Sequence, residues 1–159
     1  MNIIDTRDLY KRQQELQSEL ESLQDAVSDA QEALEERRHE YREAQTDEEI
    51  EDAQEQVAAA LEDLETANHE IVDWQSEYQE ELDEINALES EIGDEWMHGA
   101  TLIDEDDFIE YVQDLAEELG ATAGDDHCWL VIDWEATANN VQQDYSSCEY
   151  QGTTYLFRS

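Results

Sequence analysis

Proline is absent from this 159-residue chain, glycine occurs five times and cysteine twice. Lys and Arg together number seven, against 46 Asp and Glu. Without Pro, and with no Gly before Gly93, nothing in residues 5–92 breaks a helix. The two cysteines, Cys128 and Cys148, make no disulfide framework and read as small buried thiols. No apolar run approaches the roughly 18 residues that cross a bilayer, and the N-terminal MNIIDTRDLYKRQQ lacks the apolar core of a signal peptide. Anionic lipid would repel so acidic a surface. The chain is therefore expected in the cytoplasm, with no membrane partner.

The formal net charge is −39, whereas a small soluble domain usually carries about 2–8 in magnitude. Disorder is the first explanation to weigh for such a chain. Against it stand a hydrophobic content of 39%, four Trp and seven Tyr, and the regular spacing of the apolar residues. This composition belongs to a folded protein.

Two long helices account for that spacing, at about 5–45 and 47–92. In the first, Leu9, Leu16, Leu23 and Ala30 recur every seven residues, and Leu20, Val27, Leu34 and Tyr41 form an offset series. In the second, Ile50, Val57, Leu64, Ile71, Tyr78, Ile85 and Ile92 repeat at the same interval, accompanied by Ala53, Ala60, Ala67 and Trp74. These are heptad seams, with Arg37 a polar intruder. Between them Thr46-Asp47-Glu48-Glu49 has the form of a capping box. So short a link demands an antiparallel hairpin whose facing positions sum to about 94, with large residues opposite small ones. A two-helix hairpin buries little alone, so docking on the rest of the chain or dimerisation is expected, with a homodimer as the partner.

Beyond Gly93 the pattern changes. Residues 104–119 read as a short helix with Asp104 as N-cap, Gly120 just past its end, and Phe108, Tyr111, Val112, Leu115 and Leu119 as its buried stripe. ATAGDDH reads as a loop and CWLVI (128–132) as a strand. Asp133 caps a helix running to about Tyr145, with Trp134, Ala138, Val141 and Tyr145 on one face. SSCEYQGTTYLF reads as a hairpin turning at Gln151-Gly152. The expected fold class is α+β, mostly α: a coiled-coil hairpin over 1–93, then a small acidic α+β domain with a short sheet over 94–159.

Metal and catalytic motifs are weak. Glu36-x-x-His39 and Glu95-x-x-His98 match the Glu-x-x-His spacing of di-metal bundles. With 28 Glu and four His in the chain, chance alone supplies about 0.7 such matches, and the seam is apolar where the remaining ligands would sit. Asp104 and Asp106 are not followed by the Gly and Glu of a calcium loop. No nucleophile elbow, phosphate-cradling Gly loop or zinc cysteine pattern is present. No metal, cofactor or enzymatic activity is expected.

Charge is the remaining signal. The cations are Arg7, Lys11, Arg12, Arg37, Arg38, Arg42 and Arg158, leaving 115 residues between the last two without Lys or Arg. Residues 43–95 carry 21 carboxylates, about one per 3.8 Å of straight helix, against about 3.4 Å per phosphate on one DNA strand. Ordinary exposed helices offset their acids with Glu–Lys pairs four residues apart; the second helix has none. An external basic partner accounts for this tolerance of repulsion.

The expectation is a DNA mimic that enters the basic DNA-binding groove of another protein and does not itself bind nucleic acid. The carboxylates expected to stand in for phosphates are Glu77, Glu80, Glu81 and Glu84 on the second helix. After it come Asp94, Glu95, Asp104, Glu105, Asp106, Asp107, Glu110, Asp114, Glu117 and Glu118. The alternative is an acidic coiled-coil scaffold, although a scaffold ordinarily flanks its seam with charges of both signs. Adaptation to high salt fits less well, since Glu outnumbers Asp and the cations are segregated.

The stretch IDWEATANNVQQDY (132–145), with the hairpin and YLFR after it, resembles the C-terminal segment of the ArdA-type antirestriction family. Acidic phage proteins with a similar block share the pattern. The matching positions are Asp133, Trp134, Glu135, Ala136, Asp144, Tyr145, Gly152, Tyr155 and Arg158. The resemblance covers about the last 60 residues, and the N-terminal hairpin is additional to it. It implies a dimeric DNA mimic that blocks a bacterial defence complex in the host cytoplasm, a type I restriction–modification enzyme or another DNA-binding defence complex.

Overall fold

The computed structural model describes residues 1–121 and 131–158. In chain order the elements are β1 (Ile3–Asp5), α1 (Thr6–Glu43), α2 (Asp47–Ile92), β2 (Thr101–Asp104), α3 (Phe108–Glu118), α4 (Trp134–Gln142), β3 (Ser146–Tyr150) and β4 (Thr153–Phe157). The protein is mostly helical, with one small antiparallel sheet, as the α+β expectation required. Two compact units are present, residues 14–82 and residues 1–13 together with 83–159.

The 14–82 unit is built on the heptad seam. Its antiparallel register is recorded by two cross-helix hydrogen bonds. Trp74 Nε1 donates to Glu19 Oε2 at 3.2 Å, and Gln54 Nε2 donates to the Tyr41 hydroxyl at 3.3 Å. Both pairs fall within one residue of the expected sum. Ala53, Ala60, Ala67 and Trp74 are buried, as are Leu16 and Leu34. Leu20, Leu23, Val27, Val57, Leu64 and Ile71 are half-buried. On α2 the buried line is Ala at three of four positions, Ala53, Ala60 and Ala67, with Trp74 the fourth. Arg37, the intruder, is half-buried and donates to Glu40 Oε2 at 2.8 Å.

At the connection the capping box forms. Glu49 N–H donates to Thr46 Oγ1 at 3.2 Å, while Glu49 Oε2 accepts from the backbone N–H of Thr46 at 3.1 Å and of Gln45 at 3.0 Å. Donors left over at a helix start are thereby satisfied.

In the other unit the sheet order is β1-β2-β4-β3, antiparallel throughout. β1 was not expected. Residues 3–5 merge in sequence with the helix that follows, and their partner, β2, lies about a hundred residues away. One sheet face carries Ile103 and Leu156, packed with Phe108 and Val112 of α3 and Ala138 of α4. Tyr145 meets the Phe108 ring edge-on, with centroids 5.0 Å apart. Burial, and then a hydrogen bond with Tyr111, push the Tyr145 hydroxyl up to about 12.

A buried polar cluster ties β1 and the start of α1 to the turn after α2. Thr6 is wholly buried; its Oγ1 donates to Trp96 O at 2.9 Å and accepts from Ala100 N–H at 2.8 Å. Gln13, 2% exposed, accepts at Oε1 from Trp96 Nε1 at 3.2 Å. Its amide nitrogen donates to Asn86 Oδ1 at 2.8 Å and Glu89 Oε2 at 2.6 Å. Indole N–H only donates and carboxylate only accepts, so the two ends fix the orientation of the amide. Among the described residues no buried side-chain nitrogen or oxygen lacks a partner.

Several boundaries differ from the sequence reading. The helix expected over 104–119 begins with a 3-10 turn, Glu105–Asp107, capped by Asp104 Oδ1 accepting from Asp106 N–H at 3.1 Å. Gly120 adopts φ +68°, as a residue just past a helix end should. Leu119, expected in the stripe, is 75% exposed, because the helix closes at Glu118 and the apolar face ends with Leu115. α4 stops at Gln142, three residues short of Tyr145. Residues 122–127 of the expected loop and 128–130 of the expected strand lie outside the described residues, and Val131 and Ile132 belong to no strand. The β3–β4 hairpin turns at Gln151 (φ +50°) and Gly152 (φ +75°), the left-handed pair that a two-residue turn requires.

The capping box yields a stability prediction. Thr46→Ala should destabilise the protein by about 1 kcal/mol, read from thermal unfolding by circular dichroism. Backbone hydrogen bonds from Gln45 and Thr46, with that of the Thr46 hydroxyl, lower the Glu49 carboxyl below its ordinary 4.5. A lowered acid stabilises above its unfolded value, and that contribution disappears as pH falls through its folded value. The Tm gap between wild type and Glu49→Gln should therefore be present near neutral pH and close in acid.

Candidate acidic interaction surface

The expected phosphate mimics fall into three groups. On α2, Glu77, Glu80, Glu81 and Glu84 follow i, i+3, i+4, i+7 spacing along one face; Glu77 and Glu80 are exposed, Glu81 and Glu84 half-buried. On α3, Glu110, Asp114, Glu117 and Glu118 are all exposed and share the face opposite Phe108 and Val112. Asp94, Glu95, Asp104, Glu105, Asp106 and Asp107 lie in the 3-10 turns and their flanks.

This third group includes residues that the fold itself employs. Asp104 caps its turn, and its backbone N–H donates to Asn2 O at 3.1 Å. Asp107 accepts the Asn2 backbone N–H, and Glu105 accepts from Gln142 Nε2 at 3.4 Å. A groove lined by Asp104, Glu105, Asp106, Gly152, Thr153 and Thr154 opens beside them. Since Asp104 and Asp107 hold β1 against the rest of its unit, only part of the cluster is without a structural task.

α3 carries its charge with no cation on the helix itself. Glu110–Asp114 and Asp114–Glu118 are like-charge pairs four apart, each destabilising an exposed helix by about 0.2–0.5 kcal/mol. No basic residue occupies the last turn of α3, where Glu117 and Glu118 add to the negative end of the helix dipole. α2 ends the same way, with Glu89 and Glu91 and no basic residue. Arg37 and Arg38 pair with Glu40 and Glu35 on α1 itself, and Arg7 with Asp5.

One acidic surface was missed in the sequence. Glu40, Glu43, Glu49, Asp52 and Gln56 line a groove on one side of the hairpin seam. Positions one or more heptads from Glu40 and Gln56 project to that same side, which brings Glu19, Asp63, Glu70 and Glu77 onto it. The heptad register held this information, but it becomes readable only once the facing positions are known.

Neither Glu-x-x-His pair gathers ligands. His39 Nδ1 lies 3.6 Å from Glu43 Oε2, both exposed, and among the described residues no cluster of three or more His, Cys, Asp or Glu could hold a metal. Cys148 is buried, its thiol 3.8 Å from Tyr155 O; burial, and then the charge of Glu91, raise that thiol to about 11. Cys128 and His127 lie outside the described residues.

A family model described as "Protein of unknown function (DUF1216)" matches residues 4–94, more than half of the chain. The chain belongs to the DUF1216 family. Its DUF1216 region comprises β1, both long helices and the first residues after them. Comparison with curated proteins and with solved structures gave no match.

The ArdA-type resemblance is thereby corrected, since the family found is DUF1216 and no antirestriction family is shown. The residues that carried the resemblance have local structural uses. Asp133 Oδ1 accepts from Ala136 N–H at 3.0 Å and caps α4. Tyr145 packs on Phe108, Gly152 supplies the turn, and the buried Tyr155 accepts from Asn2 Nδ2 at 3.0 Å. Trp134 is half-buried, and Glu135, Asp144 and Arg158 are exposed. A capped helix followed by a tight hairpin needs such residues in any family. No helix among the described residues is long and apolar enough to cross a membrane.

Uncompensated repulsion predicts a salt response. Raising NaCl from about 0.05 to 0.5 M shortens the screening length from roughly 14 to 4 Å and should raise Tm steadily. A Tm that falls or stays level over that range would contradict the electrostatic account.

Proposed function

We propose that this protein is an acidic binding module that occupies a basic, nucleic-acid-binding groove of another protein, its carboxylates standing in for phosphates. The observation that carries the reading is α3. It is an exposed helix with four carboxylates on its outer face, no cation of its own, and acids at its dipole-negative end. A helix selected for stability alone would place Lys or Arg there. α2 and its acidic flank extend the same character. The restriction-enzyme target depended on the ArdA-type resemblance and is dropped with it; the proposed partner is defined by its basic groove.

Binding of this kind shares the physics of non-specific DNA association: fast, electrostatically steered and strongly weakened by salt. Immobilised protein exposed to a bacterial lysate at low salt should retain proteins that a short DNA duplex then releases. Their affinity should fall by at least tenfold between about 50 and 200 mM salt. Retention that duplex DNA cannot reverse, or that ignores salt, would favour an acidic scaffold and contradict the mimic.

A further inference from the structure

The side of the hairpin opposite the acidic flank is almost uncharged, and we infer that it is a self-association face on which a second copy of this chain docks. The inference concerns residues 14–82 and does not depend on the mimic reading. On α1 the face presents Gln17, Gln24 and Gln31, seven residues apart and exposed, with Gln14 donating to Gln17 Oε1 at 3.3 Å. On α2 it presents Ala58, Leu61, Asn68, Val72 and Gln75. Leu61 is 39% exposed and Val72 57% exposed. Glu21 and Glu65 are the carboxylates that interrupt these two stripes.

Three physical points identify the occupant as a second copy. A chain of net charge −39 repels its own kind everywhere except where charge is scarce, and in this unit that is here. A basic partner, conversely, gains nothing from a neutral face. A two-fold interface sets like groups against like near its axis; amides, which both donate and accept, and apolar groups tolerate this, whereas carboxylates do not.

Size is just sufficient as well. The stripes span residues 14–31 and 58–75, a face roughly 27 Å by 18–20 Å. That is about 500 Å² per partner and about 1,000 Å² in all, the lower bound for a specific interface. Docking here also covers the half-buried Leu20, Val27, Leu64 and Ile71 of the hairpin seam from that side, and leaves both acidic flanks facing outward.

Sedimentation equilibrium of the full chain in about 0.5 M salt, where screening suppresses long-range repulsion, should give twice the 18.5 kDa chain mass. Leu61→Glu and Val72→Glu should each weaken the dimer by about tenfold or more with helicity unchanged by circular dichroism. Thr66→Glu, on the acidic side, should leave it intact. A monomeric wild type overturns the inference, as does a dimer that survives both Glu substitutions or yields equally to Thr66→Glu. So does a monomer that captures a different protein through Leu61 and Val72.

Discussion

Mutual repulsion among 46 carboxylates, offset by seven cations, constrains every element of this chain. The interior is built so that burial costs no charge. Among the described residues its buried polar side chains are neutral, Thr6 and Gln13. Two carboxylates beside interior side chains act as acceptors for a specific donor: Glu89 for the Gln13 amide and Glu19 for the Trp74 indole. Helix starts and turns supply further donors, at Glu49, Asp104, Asp107 and Asp133. Acids that find a donor thus contribute to the fold, and most of the other described acids lie exposed on helices.

That division changes the meaning of the acidity. Read residue by residue, the cluster at 104–107 looks like the densest part of a binding surface. In three dimensions Asp104 and Asp107 are anchors for the N-terminal strand, and α3, with a lower local density of acids, becomes the better candidate. The distinguishing property is compensation. An acid with a backbone or amide donor explains itself, whereas Glu117 and Glu118 at a dipole-negative helix end do not.

Local and periodic features were the legible ones. Two heptad series without Pro or Gly defined α1 and α2, and Thr46 and Glu49 marked their junction. Asp133, Gly120 and Gln151-Gly152 marked a cap, a helix end and a turn. Features that depend on distant partners were not legible. β1 exists because Leu102 and Ile103 lie opposite it, about a hundred residues away, and nothing in the first residues distinguishes it from a helix start. The Thr6–Trp96–Gln13 cluster is hidden for the same reason. Leu119 misled because apolar spacing continues one residue past the point where Gly120 turns the chain. The acidic and neutral sides of the hairpin required the register of both helices. The C-terminal motif misled differently, because a capped helix and a tight hairpin impose similar residues on unrelated chains.

Stability sacrificed on α3 in favour of a basic partner is the central claim, and it links structure to proposed function through one set of residues. The direct measurement is the quadruple variant Glu110→Gln, Asp114→Asn, Glu117→Gln, Glu118→Gln, assayed at low salt for both Tm and retention of DNA-displaceable proteins. The account predicts opposite signs: Tm rises as like charges are removed, and retention falls. A variant that loses stability, or that binds as before, would show that these carboxylates serve the fold or serve nothing, and would contradict the account.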